Sequence, residues 1–420
     1  MGLSIGIVGL PNVGKSTLFT ALTSKGGLAT SYPFASAEVN VACVPIPDER
    51  LAVLSDIVRP TRIVPATVEF VDVAGLVRGA NAGEGLGNQF LASIREADAI
   101  VEVLRYFSDS NVTHVVGTID PVRDSDIVKT ELILADLGTI ERALPRLEKD
   151  ARRDKTLLSK VGMAQALQSW LDAGNRAASF DFAGAASRIS GIESEKHARE
   201  LIYDLHLLTM KPLLYVANVD ESEIGGPTLA GGAVSVGGLA PFGDAVSVGG
   251  LAPFGGAVSV GGLAPSGGSA LVGGAAKTLE PIEGIVPIPI SAKVEADIAE
   301  LLQSSPEDAA EFLAELGLAE NGLERLTQSA YALLGLQSFF TAGELEVKAW
   351  TIKKGAKAPQ AAGVIHSDFE KGFIKAETIS YDDYIKYKGE AGCKAAGKLR
   401  IEGKEYVVQD GDVMHFRFAN

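Results

Sequence analysis

Gly9 and Gly14 bracket Leu10-Pro11-Asn12-Val13 and are followed at once by Lys15, Ser16 and Thr17. Glycine lets a backbone wrap closely around an anion with its N–H groups turned inward. A helix opening behind such a loop adds the positive end of its dipole. In this arrangement Lys15 reaches the β- and γ-phosphates of a nucleotide and the Ser16 hydroxyl ligates Mg²⁺. Asn12, Val13, Gly14, Lys15, Ser16 and Thr17 are therefore expected to cradle a nucleoside triphosphate. Further on, Asp72-Val73-Ala74-Gly75 has the D-x-x-G spacing of a nucleotide-sensing switch. Asp72 is expected to hold Mg²⁺ through water, and the Gly75 N–H to meet the γ-phosphate.

Such a cradle needs a strand before it and a helix after it. Leu3–Val8 is a short apolar run, and Ser16–Leu22 reads as helix. Thr67–Val71 predicts a strand ending at Asp72, Asn88–Arg95 a helix, and Ala99–Leu104 a strand. Pro212–Asn218 and Ile285–Ile290 read as strands returning to the same sheet. The rhythm predicts an α/β fold with a mostly parallel sheet, a P-loop NTPase domain built from residues 1–130 and 206–304. In 131–205, Leu132, Leu134, Leu137, Ile140, Leu144 and Leu147 recur at helical spacing, and predict an inserted helical coiled-coil arm. Residues 305–335 read as a helical connector. Residues 336–420 change to short strand-like runs with turns at Gly403 and Gly411, and predict a small, separate α+β domain. Within 225–276 one Gly- and Pro-rich unit starts at Ala233, Ala245 and Ala257. It offers few large side chains to offset ordering entropy, and is assigned no catalytic role.

The net charge of -15 over 420 residues repels polyanions across most of the surface. Contact with nucleic acid then requires a local basic patch, for which Lys353, Lys354 and Lys357 beside Trp350 are the candidates. Cys43 and Cys393 are the only cysteines, too few for a disulfide framework or a four-cysteine zinc site. No leader pattern precedes Leu3, and the uncharged stretch 245–276 is broken by Gly pairs and Pro. These features predict a cytoplasmic protein without a membrane segment.

Asn218-Val219-Asp220-Glu221 follows a buried strand where a GTPase would carry N-K-x-D to read guanine. Val219 stands where the lysine would pack along the base, and Glu221 carries the carboxylate one carbon further out. Asn218, Val219 and Glu221 are expected around a base, with relaxed or adenine-leaning preference. A one-residue shift that brings in Asp220 is the guanine-reading alternative.

With these motifs the chain resembles the YchF family, the Obg-like ATPases of the translation-factor class. The matching residues are Gly9–Thr17, Tyr32-Pro33-Phe34, Asp72–Leu91, Asp120-Pro121-Val122-Arg123-Asp124, Thr130–Leu137 and Asn218–Glu221. Leu336–Thr341, Ala349-Trp350, His366–Phe369 and Gly411-Asp412-Val413 extend the match to the C-terminal part. The resemblance implies a coiled-coil arm and a C-terminal TGS domain of β-grasp fold. It also implies hydrolysis of ATP in preference to GTP, association with the ribosome or ribosomal RNA, and a role in translation or stress.

Ser36 stands where the family usually has Thr, and keeps a hydroxyl for Mg²⁺. Ser291-Ala292-Lys293 looks like the S-A-K base loop of ordinary GTPases, and keeps a GTP-preferring alternative open. Leu76 occupies the position where Ras-like enzymes orient water with Gln, so intrinsic turnover is expected to be slow. Asn12 sits where related enzymes bind K⁺. His114, in a polar stretch, is the candidate to orient or deprotonate water, against a plain surface or supporting histidine. A nucleotide-gated binding module with negligible hydrolysis is the remaining alternative.

Overall fold

The structure is a computed structural model describing residues 3–26, 29–31, 40–73, 86–224, 279–318 and 321–419. Ser36, Gly75, Leu76, Arg78 and the repeats of 225–276 lie outside the described residues.

The first strands are β1 (Ser4–Val8), β2 (Ala29–Ser31), β3 (Asn40–Pro45), β4 (Arg62–Val64), β5 (Thr67–Asp72), β6 (Ala99–Arg105), β7 (Leu213–Asn218) and β8 (Ile288–Ile290). All but β4 join one sheet in the order β2-β3-β5-β1-β6-β7-β8. From β5 to β8 the strands run parallel, and β2 and β3 are antiparallel additions at one edge. β6 and β7 are buried along their whole length, which is why they read as mostly apolar runs, with Glu102 and Arg105 buried among the apolar residues of β6. β1 lies between β5 and β6, so a crevice opens above its C-terminal end, where ligands sit in folds of this kind. The expected strand Ile285–Ile290 is shorter than predicted. Ile285 instead bridges Ile282 in a turn, and only Ile288–Ile290 pairs with β7.

Helices α1 (Lys15–Gly26), α2 (Glu49–Val58) and α3 (Leu86–Glu96) belong to this unit. α4 (Pro121–Ala151) serves two cores. Asp120 caps it by accepting the Arg123 N–H, and Pro121 starts it with a pre-set φ. Val128, Leu132 and Ala135 pack into the sheet's core, while Ile133 and Ile140 pack with the arm. The expected boundary at residue 131 thus falls inside one continuous helix. α5 (Leu158–Asp172), α6 (Phe182–Arg188) and α7 (Glu195–Ile202) complete the arm around Met163, Leu167, Leu171 and Phe182. It is a small helical bundle with its own core rather than a bare two-helix coiled coil. Buried Asp136 of α4 accepts from the Leu208 N–H, the Thr209 N–H and the Thr209 hydroxyl at 2.7–2.8 Å. Those bonds staple the short 3-10 turn at the arm's exit, Leu208–Met210, onto its entry helix, and burial holds the Asp136 carboxyl above its ordinary pKa.

α8 (Ala292–Ser304), α9 (Pro306–Glu315) and α10 (Gly322–Leu333) lead to a second sheet. Its strands are β9 (Leu336–Ala342), β10 (Glu346–Lys353), β11 (Phe373–Ile379), β12 (Arg400–Glu402) and β13 (Val413–Phe418). β13 lies parallel beside β9, and α11 (Ala358–Ile365) covers one face over Phe339, Phe373, Met414 and Phe416. This is a β-grasp arrangement. The predicted run Tyr406–Val408 contributes only a single bridge, from Val407 to Lys357.

The C-terminal sheet is not a separate body. β4 of the N-terminal segment pairs in parallel with β10 and closes its edge. Phe340, Val347 and Val413 from its second face pack in one core with Leu51 and Leu54 of α2. Arg50 on α2 forks between Asp48 and Asp410 at 2.8 Å each and lies over the Phe340 ring at 5.0 Å. The hydrogen bonds to these carboxylates hold its guanidinium pKa above the usual arginine value.

Candidate nucleotide site

The loop between β1 and α1 passes close to its neighbours. A Cβ on Gly9 would lie 2.7 Å from the Val103 carbonyl oxygen of β6. Gly14 has φ +92°, a left-handed conformation, and a Cβ there would overlap the Asn218 amide nitrogen. Asn12 is also left-handed at φ 66°, a region short polar side chains tolerate. Val13 is buried beneath the loop, and Ser16 and Thr17 are exposed on the first turn of α1. Lys15 is buried, and its Nζ is ion-paired with Asp72 Oδ1. Register explains the meeting: Asp72 ends β5 directly beside Ile7 of β1. Sequence reasoning assigned Lys15, Ser16 and Asp72 to one site, and the fold gathers them at one crevice. Ser36 and Gly75, the other switch candidates, lie outside the described residues.

Asn218 is 5% exposed and uses both ends of its amide. Nδ2 donates to the Val13 carbonyl at 2.8 Å, and Oδ1 accepts the Ala292 N–H at 3.0 Å. It thereby ties the phosphate loop to the Ser291–Lys293 loop. Ser291 and Ala292 are buried at the start of α8, so this loop braces the site from behind, while Lys293 is exposed. Val219 corrects an expectation: its side chain packs with Ala217, Ile224, Val294 and Ile298 and does not line the site. Glu221 and Lys293 face each other at 4.0 Å, both largely exposed. Asp220 Oδ2 accepts the Ser108 N–H at 3.1 Å, and so holds the segment that follows β6.

That segment was only partly legible in advance. Arg105 ends β6 as a fully buried arginine. Its Nε and Nη2 donate to the Phe107 and Asp109 carbonyls at 3.2 Å, and its guanidinium lies 4.4 Å from the Phe107 ring centre. The loop that it shapes returns to the phosphate cradle, where Asn12 Nδ2 donates to the Thr113 carbonyl at 3.1 Å. Next to Thr113, His114 is buried against Asp124 of α4, with Nε2 to Oδ2 at 2.8 Å. The Val116 N–H donates to His114 Nδ1 at 3.1 Å. Arg105 was in no motif, and Asp124 stood in the matched run Asp120–Asp124 with no role assigned to it. An arginine ending a buried strand and a second aspartate one turn behind a helix cap were the available signals.

The donor set suits a hard cation. A hydroxyl and a carboxylate, completed by phosphate oxygens and water, is the usual Mg²⁺ environment in such sites. Of the basic cluster in the C-terminal domain, Lys357 is already paired with Glu405 at 2.5 Å, which leaves Lys353 and Lys354 exposed.

Comparison with known proteins agrees with this geometry. Residues 4–143 match a family model described as a 50S ribosome-binding GTPase. Residues 336–419 match one described as the YchF-GTPase C-terminal domain, of unknown function. The chain is 45% identical to the ribosome-binding ATPase YchF of Pasteurella multocida, covering 100% of this chain and 99% of that one. It is 44% identical to the protein of that name from Bacillus subtilis, over 100% of both. The solved structure of the Schizosaccharomyces pombe YchF GTPase superposes with a TM-score of 0.74 at 33% identity, covering 99% of this chain and 98% of that one. Likeness of this extent, running from one end of the chain to the other, means that the chain belongs to the YchF family of P-loop nucleoside triphosphatases.

Proposed function

We propose that this chain is a slow, Mg²⁺-dependent ATPase that works in association with the ribosome; the names of its curated relatives, ribosome-binding ATPases, support the ribosomal and ATPase parts of that reading. The observation that carries the choice of base is the engagement of Asp220. A guanine reader needs a free carboxylate to accept two donors from the base edge. Here the Asp220 carboxylate is engaged by the Ser108 N–H, and Glu221 stands at the rim opposite Lys293. Adenine presents one exocyclic donor, which a single backbone carbonyl satisfies.

The remaining roles follow from placement. Lys15 and Asp72 neutralise each other; with Mg-triphosphate bound, Lys15 would hold the phosphate oxygens and Asp72 would help hold the metal. Ser16 supplies a direct metal ligand, with Ser36 as the second hydroxyl. Bound Mg²⁺ supplies charge neutralisation at the β- and γ-phosphates. The Gly75 N–H is assigned to the γ-phosphate, and His114 to the attacking water. A K⁺ ion at Asn12 would use its amide oxygen, because the nitrogen side is donated to Thr113.

Competitive calorimetry with ATP and GTP tests the base assignment. ATP is expected to bind at least about tenfold more tightly, a difference of about 1.4 kcal/mol. Equal or tighter binding of GTP overturns it. Turnover is expected to rise when ribosomes are added; a flat response leaves a nucleotide-gated binding module.

A further inference from the structure

His114 is held from both sides. The Val116 N–H donates to Nδ1, so Nδ1 is an acceptor and the ring proton sits on Nε2, where it is donated to Asp124 Oδ2. Side-chain exposure is 6% for His114 and 1% for Asp124. The other Asp124 oxygen is gripped by Arg123, with Nη2 at 3.0 Å and Nε at 3.3 Å, and Arg123 is itself tied to the Thr118 hydroxyl at 2.8 Å. In this arrangement neither imidazole nitrogen is open to a water molecule. Yet the next residue back, Thr113, is joined to the phosphate loop through Asn12. The ring is therefore one short loop away from the crevice and turned away from it.

From this juxtaposition we infer that Asp124 is a positioning residue that keeps His114 stored, and that turnover requires the ring to leave it. This inference rests on the assignment of His114 to the attacking water. Asp124 is set in the first turns of α4, and α4 continues without interruption into the arm's core at Ile133 and Ile140. A partner that grips the arm therefore pulls on the same helix that holds the histidine. The store becomes a brake on basal hydrolysis, and the arm becomes its release.

The test uses the purified full chain. Nitrogen chemical shifts of His114 should show the Nε2-protonated tautomer, and Asp124→Asn should shift the Nε2 resonance toward that of a weaker, neutral hydrogen bond. Weakening a charge-assisted buried hydrogen bond in this way should raise kcat for ATP about fivefold with KM unchanged, and should shrink the further stimulation by ribosomes. Val116→Pro removes the donor to Nδ1 without touching the buried carboxylate. It should raise kcat in the same direction, and serves if Asp124→Asn fails to fold. A merely structural aspartate would leave or lower kcat. If His114→Gln loses turnover while both loosening variants lose it too or leave it unchanged, the brake is refuted and the histidine assignment survives. If His114→Gln retains full turnover, the histidine assignment fails and the brake fails with it.

Discussion

Asn218→Asp changes one atom and reverses one hydrogen bond. The carboxylate keeps an acceptor toward the Ala292 N–H at 3.0 Å, but turns a second acceptor against the Val13 carbonyl, where a donor stood at 2.8 Å. The position is 5% exposed, so water cannot repair the mismatch. The chain has one escape, which is to protonate the new carboxylate so that it donates to Val13 again. Protonation at pH 7 against an ordinary aspartate pKa costs about 4 kcal/mol, which caps the penalty. The same cap falls to about 1.5 kcal/mol at pH 5. The variant should therefore melt about 4–6 °C lower at pH 7, and recover most of that loss at pH 5. Asn218→Ala removes both bonds, costs about 2–4 kcal/mol, and shows no such recovery. Thermal melts at the two pH values, with ATP calorimetry on each variant, read the outcome. ATP affinity should fall at least about tenfold at pH 7, because the bond to the Val13 carbonyl is what fixes the cradle's shape. If the Asn218→Asp variant melts like the parent at pH 7, or if its deficit ignores pH, the reasoning is refuted.

Other predictions are briefer. Lys15→Ala should abolish measurable uptake of Mg-ATP by calorimetry; unchanged affinity removes the phosphate cradle from the account. Glu102 is buried on β6 beside Tyr215 of β7, and desolvation pushes its pKa well above the ordinary carboxylate value, with Arg176 opposing and Glu283, Asp124 and Asp126 adding to the rise. The folded chain then keeps a proton that the unfolded chain sheds above the ordinary carboxylate pKa. Stability consequently falls as pH climbs from there toward the folded value, by up to about 1.4 kcal/mol per pH unit. Glu102→Gln should flatten that slope in denaturant titrations, and parallel curves for parent and variant would count against it. Arg50→Lys keeps the charge but loses the fork between Asp48 and Asp410. With Asp410 half exposed, a loss of about 1–2 kcal/mol is expected in urea unfolding, and an unmoved midpoint would dismiss the clamp.

What the chain's order of residues revealed depended on distance along it. The cradle and the strand before Asp72 announce themselves within a few residues, because glycine spacing and apolar runs are local properties. Asp72 beside Lys15 was legible too, since the two motifs share one chemistry. The base-side residues misled in part. Val219 belongs to a motif, yet its side chain answers to the apolar pocket around Val294 and Ile298. Asn218 was read as a base contact, and the fold commits its amide to two backbone groups. The pairing of His114 with Asp124 needs a loop to fold back onto a helix cap, which no periodicity encodes. The longest ties were hidden altogether: Arg50 meets Asp410 across 360 positions, and Arg62 meets Glu346 across 284. Neither partner carries a local pattern that names the other.

β4 has a consequence for how the protein is cut and kept soluble. It is three residues long, begins with Arg62, and lies along the outer rim of β10. A bare rim of that kind recruits strands from other molecules, whereas a short charged one does not. A fragment made of residues 336–420 alone would shed this guard and lay β10 open. The complementary fragment would leave the apolar flank of α2 wet. Division at the compositional boundary should thus yield two pieces that self-associate, and mixing them should restore monomeric behaviour.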